Sequence, residues 1–189
     1  MKKCITRGSG CGFAQCRPRV EVDGSMWNGP ARRGAACVIA TLQVAGRRHV
    51  VLVKQQRPPA GGVVLEFPAG LIDEGEGAAE SALRELAEET GFRGDVREIG
   101  PPSYNTPGLS SETVVMARVD VQKHGQSCNQ DGEAIEVVVL PVAGLLGNLR
   151  EMEQQGVKMD AKVWCYAEGL AAQEPASKQA DGITTDDTY

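Results

Sequence analysis

GLIDEGEGAAESALRELAEETGF, residues 70–92, is the stretch on which the reading of this chain turns. Gly70 to Gly75 is rich in glycine and acid, and it predicts a loop. Gly77 to Thr90 is built mainly of helix formers and predicts a helix stopped at Gly91, a residue suited to a left-handed C-terminal cap. On that helix Leu83, Leu86 and Ala87 fall on one side and are expected to enter a core. Glu85, Glu88 and Glu89 span about 100° of the other side. Stability alone disfavours this arrangement. Glu85 and Glu89 are like charges at i and i+4, which repel by roughly 0.2–0.5 kcal/mol. They also lie in the last turns, where the helix dipole opposes anions. Arg84 supplies the nearby cation, placed to reach Glu80 or Glu88. A divalent cation would reverse the sign of the repulsion. Hard oxygen ligands from one or two carboxylates, completed by substrate phosphates, are what magnesium prefers.

Outward from this stretch the chain alternates short β-rich runs with loops. Residues 19–22 predict a strand, and Asp23-Gly24 a hairpin turn. Further strands are expected at 35–42, 49–54, 63–67, 113–121 and 134–140, with helices at 141–155 and at 160–173, the latter N-capped by Asp160. Residues 122–132 are polar and turn-rich and predict a loop. Mixed strands with helices outside them predict a layered α/β domain over residues 19–173, preceded by a flexible segment 1–18 and followed by a disordered tail 174–189.

The 189 residues suffice for one domain with its own core. Twenty Lys and Arg against 25 Asp and Glu give a net charge of −5, which argues against non-specific nucleic-acid binding and suits a protein that collects cations on carboxylates. No apolar run approaches a membrane span. The six cysteines are scattered, with no close Cys-x-x-Cys pair, as expected of reduced thiols in a cytoplasmic protein, with the nucleus as the alternative. The basic stretch before Glu21 leaves an organelle transit signal open. His49 and His124 are not placed as catalysts.

A solvated charged face is the ordinary explanation of an acidic helix. Spacing decides against it here. Five residues separate Gly70 from Glu76, and seven separate Glu76 from Arg84; Glu85, Leu86, Glu88, Glu89, Gly91 and Phe92 follow. All nine positions resemble the Nudix signature. Two further stretches, Val53 to Pro59 (VKQQRPP) and Glu66 to Gly70 (EFPAG), resemble the ADP-ribose and ADP-sugar pyrophosphatase branch of that family, as does PGLS beginning at Pro107.

The resemblance implies an α/β/α sandwich around a mixed sheet and a homodimer that exchanges its N-terminal strands. It implies metal ligation by Glu85, Glu88, Glu89 and the carbonyl of Ala69, with magnesium, or alternatively manganese, as cofactor. Glu76 and Arg84 would brace the loop and orient the carboxylates. Trp27 would stack on adenine, Arg32 would contact substrate and Arg57 phosphate, with Leu71 and Leu109 at the substrate as well. A general base is expected on a downstream loop, Glu133 first and Glu136 second. The implied reaction is hydrolysis of ADP-ribose to AMP and ribose 5-phosphate. Another ADP-sugar, an oxidised nucleoside diphosphate and a non-catalytic ADP-ribose sensor are the alternatives. Two positions depart from the branch pattern. Only Phe13 stands where a second adenine-stacking aromatic is common, and Thr106 precedes Pro107 where an acid is usual.

Overall fold

The computed structural model describes residues 34–124 and 134–173, and the backbone of two short strands at 20–22 and 25–27. Those two, β1 (Val20–Val22) and β2 (Ser25–Trp27), pair antiparallel across the expected turn and form a sheet of their own. The larger sheet has nine strands among the described residues. They are β3 (Ala35–Val44), β4 (Arg47–Arg57), β5 (Gly62–Glu66), β6 (Ala69–Leu71), β7 (Phe92–Ile99), β8 (Ser103–Tyr104), β9 (Thr113–His124), β10 (Glu136–Pro141) and β11 (Lys158–Met159). The sheet is mixed: β3 runs parallel to β9 and antiparallel to β4 and β6, and β11 runs parallel to β5. Three α-helices stand among the described residues, α1 (Ala78–Thr90), α2 (Leu145–Gln154) and α3 (Ala161–Ala171). None is long and apolar enough to cross a membrane.

Strand alternation divides β3 between two cores. Ala36, Val38 and Ala40 face one side, where Ala82 and Leu86 of α1 meet them with Phe92, Ala117 and Val119. Cys37 faces the other, with Val50, Leu52, Leu65 and Phe67 packed under Leu145 and Leu149 of α2 and Val163 of α3. Helices therefore cover both faces, the layered arrangement expected from the alternating pattern.

Several boundaries differ from expectation. The first two residues of the expected loop, Gly70 and Leu71, are strand: with Ala69 they pair with Cys37 to Ala35 as β6. β7, β8 and β11 were not anticipated. β9 continues to His124, three residues into the expected loop. The helix predicted over 141–155 starts only at Leu145, because β10 runs on to Pro141. Asp160 caps α3 as expected, its side chain accepting from the Lys162 amide at 2.7 Å. The core face of α1 is Ala82 and Leu86, with Leu83 packed at its edge and Ala87 outside the core cluster. The segment 1–18 and the tail 174–189 lie outside the described residues.

Candidate active site

The site is built where β6, the loop after it and α1 meet, and one guanidinium holds these parts together. Arg84 donates from Nε to Glu76 Oε1 at 2.9 Å and from Nη2 to Glu76 Oε2 at 3.0 Å. Its Nη1 reaches Glu85 at 2.6 Å and Glu88 at 3.1 Å, and Nη2 also donates to the Leu71 carbonyl at 3.1 Å. Arg84 thus reaches Glu88 as expected, but not Glu80. Glu80 instead accepts from the Gly77 amide at 3.0 Å and caps the helix start. The amide of Asp73 donates to Glu76 as well, at 3.1 Å. Hydrogen bonds from Arg84 and Asp73 hold the Glu76 carboxyl down at about 2, and the surrounding carboxylates push Arg84 further up.

Glu85 and Glu89 lie deeper. A Cβ at position 70 would sit 2.0 Å from Glu85 Oε1, so β6 approaches this close to α1 because residue 70 has no side chain. Glu89 accepts from the Gln55 side chain at 3.1 Å and from the Ala69 amide at 3.3 Å. Burial, and next the charge of Glu85, push the Glu89 carboxyl up to about 7; the two hydrogen bonds and Arg57 only partly oppose this. Burial raises Glu85 too, against the pull of Arg84. Two half-sunk carboxylates that repel one another lack enough positive charge.

That donor chemistry fits a divalent cation: hard oxygens, like charges held close, and a shortage of neutralising groups. The side chains are not converged on one point. Glu85 and Glu88 turn to Arg84 and Glu89 turns to Gln55, and among the described residues no three acidic, histidine or cysteine side chains stand together as a metal-holding group. Rotation of these glutamates away from Arg84 and Gln55 is needed before they share an ion.

The other expected residues are placed unevenly. Arg57, at the end of β4, makes a two-pronged ion pair with Glu66, at 2.8 and 2.9 Å, and its charge reaches Glu89. Leu71 and Leu109 are exposed, at 53% and 85%. Leu109 belongs to a turn in which its amide donates to the Thr106 carbonyl at 2.9 Å. Glu136 sits on β10 paired with Lys54 at 3.0 Å. Trp27 ends β2, while Arg32 and Glu133 lie outside the described residues. Two contributors were missed by sequence reasoning. Gln55 is 4% exposed and its amide serves Glu89; flanked by Lys54 and Gln56 at the polar end of β4, it carried no sequence signal of burial. Glu66 fixes Arg57, and no sequence signal pointed to that pairing.

A fold and a loop-helix of this kind define a class, and comparison with known proteins agrees. Residues 31–163 match the model of the NUDIX domain. The chain is 42% identical over 154 residues to a protein of Mus musculus named ADP-sugar pyrophosphatase, covering 76% of this chain and 69% of that one. It is 37% identical over 128 residues to a protein of Saccharomyces cerevisiae named ADP-ribose pyrophosphatase, covering 65% and 55%. The chain belongs to the Nudix family. It is a Nudix pyrophosphohydrolase, and within the family it groups with the branch of those two relatives.

Proposed function

We propose that the protein hydrolyses the diphosphate of ADP-ribose, releasing AMP and ribose 5-phosphate. The observation that carries this is the pairing of the buried, mutually repelling Glu85 and Glu89 with Gly70 and Ala69 of β6, within reach of Arg57. The names of the mouse and yeast relatives support the substrate class.

In this reading Glu85, Glu88, Glu89 and the Ala69 carbonyl hold magnesium, with manganese able to substitute. Such an ion, when bound, neutralises the diphosphate and makes water a better nucleophile. The chain's own groups do the rest. Arg57, its fork fixed by Glu66, binds phosphate oxygens. Trp27 stacks on adenine and Arg32 contacts the substrate, while exposed Leu71 and Leu109 give it apolar contact. Glu133, or failing it Glu136, takes the proton of the attacking water. The new P–O bond forms at one phosphorus, and the bridging oxygen leaves with the other phosphate. The N-terminal strands exchange in a homodimer, and the enzyme works in the cytoplasm.

The mouse relative's name favours a second reading, that another ADP-sugar is the preferred substrate. Turnover of a panel of nucleotide sugars and dinucleotides, with magnesium and with chelator, separates the two. Metal-dependent AMP release, fastest from ADP-ribose and lost in Glu85→Gln, is expected. Tight ADP-ribose binding with no turnover of any compound would leave a sensor and overturn the proposal.

A further inference from the structure

A second cleft, of about 470 Å³, opens on the face of the large sheet opposite α1, between the sheet and the C-terminal half of α3. Register fixes its location. On β3 the residues facing α3 are Cys37, Ile39 and Thr41; Cys37 pairs with Ala69 beside the carboxylates, and Thr41 lies four residues further on, about 13 Å along the strand. Arg118 stands beside Ile39 and Asp120 beside Thr41 on the neighbouring strand β9. Arg48 lies two residues before Val50 of the same core, and so on the same face.

The cleft keeps an excess of one positive charge in a chain whose net charge is −5. Arg48, Arg97 and Arg118 line it, against the carboxylate of Asp120 in the lining and that of Glu98 beside Arg118. Arg97 pairs with Asp120, and Arg118 with Glu98 at 3.0 Å. The Arg48 carbonyl accepts from the Val142 amide at 2.9 Å, and the Arg48 side chain has no hydrogen-bond or ion-pair partner among the described residues. Tyr166 of α3 enters the same cleft. Its ring packs edge-on against Phe67, with centroids 5.6 Å apart, and Arg48 and Arg118 are both near enough to pull on its hydroxyl's ionisation against the larger opposing effect of burial. The Arg48 guanidinium, the Tyr166 phenol and the Thr41 hydroxyl stand over the apolar Ile39 and Leu170 with donors to offer, while Arg97 and Arg118 are held by the carboxylates of Asp120 and Glu98. Such a set recognises phosphate oxygens. The volume exceeds what a bare anion needs and falls in the range of small-ligand sites, roughly 300–1,000 Å³.

We propose that this cleft binds a phosphate monoester carrying a sugar or a nucleoside, at a site separate from the carboxylate face of α1. The proposal does not depend on the substrate assigned above. Calorimetric titration of the full chain with AMP, ribose 5-phosphate and inorganic phosphate, in chelator, tests it. Saturable binding of AMP or ribose 5-phosphate, tighter than that of inorganic phosphate, is expected. Arg48→Gln should weaken it about tenfold, and Tyr166→Phe should weaken it less, while Arg57→Ala and Glu85→Gln leave it unchanged. Arg48→Gln should also leave turnover of the diphosphate substrate unaltered, which shows the variant is folded. Absence of saturable binding up to millimolar ligand, or binding lost in Arg57→Ala and kept in Arg48→Gln, would overturn the proposal.

Discussion

A methyl group at position 70 would meet the end of the Glu85 side chain, 2.0 Å from Oε1, rather than backbone. The clash can therefore be relieved by swinging one flexible carboxylate aside. Gly70→Ala should barely move the melting temperature yet lower kcat about 100-fold or more, because the displaced group is one of those proposed to hold the metal. A variant with normal turnover would show that Glu85 need not occupy this place. Glu89 gives a prediction of a different kind. Its carboxyl ionises near 7 when folded, against an ordinary 4.5, so between those values the folded state binds more protons than the unfolded chain. Its contribution is full below pH 4.5 and lost as pH rises through 7. Glu85 is raised as well and acts in the same direction, whereas Glu76, held near 2, stays ionised in both states across this window. Metal-free protein should lose on the order of 2 kcal/mol of stability between pH 5 and pH 8. Glu89→Gln should flatten that slope, and magnesium should oppose it in the wild type. Denaturant unfolding at several pH values, with chelator, measures this; an unchanged slope in the variant would assign the effect to other groups.

Among the elements, α1 was legible almost to the residue. Its apolar spacing, its run of helix formers and Gly91 all agree, and Gly91 takes the left-handed conformation at φ 73° with its amide donating to the Ala87 carbonyl at 3.0 Å. Gly91→Ala should destabilise the protein by about 1 kcal/mol without altering which substrate is used; chemical denaturation checks it. The strands that escaped prediction share a cause. β6 is Ala-Gly-Leu, with no intrinsic preference for extended structure, and exists because β3 offers it a partner. β7 alternates at an edge of the sheet with charged residues on its exposed positions, so little hydrophobic period marks it, and the break at Gly94 interrupts what remains. β8 and β11 are two residues each, too short to carry a pattern. The acidic face of α1 was legible for the same reason the helix was. The partners of Glu89 were not: Gln55 and the Ala69 amide come from other strands, as does the Glu66 that holds Arg57, and only tertiary pairing brings them there.

At the scale of the whole molecule, the large sheet separates two cores and two kinds of charge. Glu76, Glu85, Glu88 and Glu89 outnumber Arg84 on the α1 side, and Arg48, Arg97 and Arg118 outnumber Asp120 and Glu98 on the α3 side. The hairpin of β1 and β2 forms its own sheet, and the dimer proposed above assigns that region to a second copy's active site. Removal of residues 1–33 should then leave a folded domain of similar melting temperature, convert a dimer to a monomer by light scattering, and raise KM for ADP-ribose at least tenfold. A truncated dimer with unchanged KM would dismiss strand exchange.

Arg84 also bears on how such a protein is made. A helix carrying three crowded carboxylates would be expected to wait for metal before settling, as small zinc domains do. Here the chain supplies a cation of its own: Arg84 bridges Glu76, Glu85, Glu88 and the end of β6. If those carboxylates hold a metal as proposed, the chain should fold without it, and loading would be a later event set by supply rather than by folding.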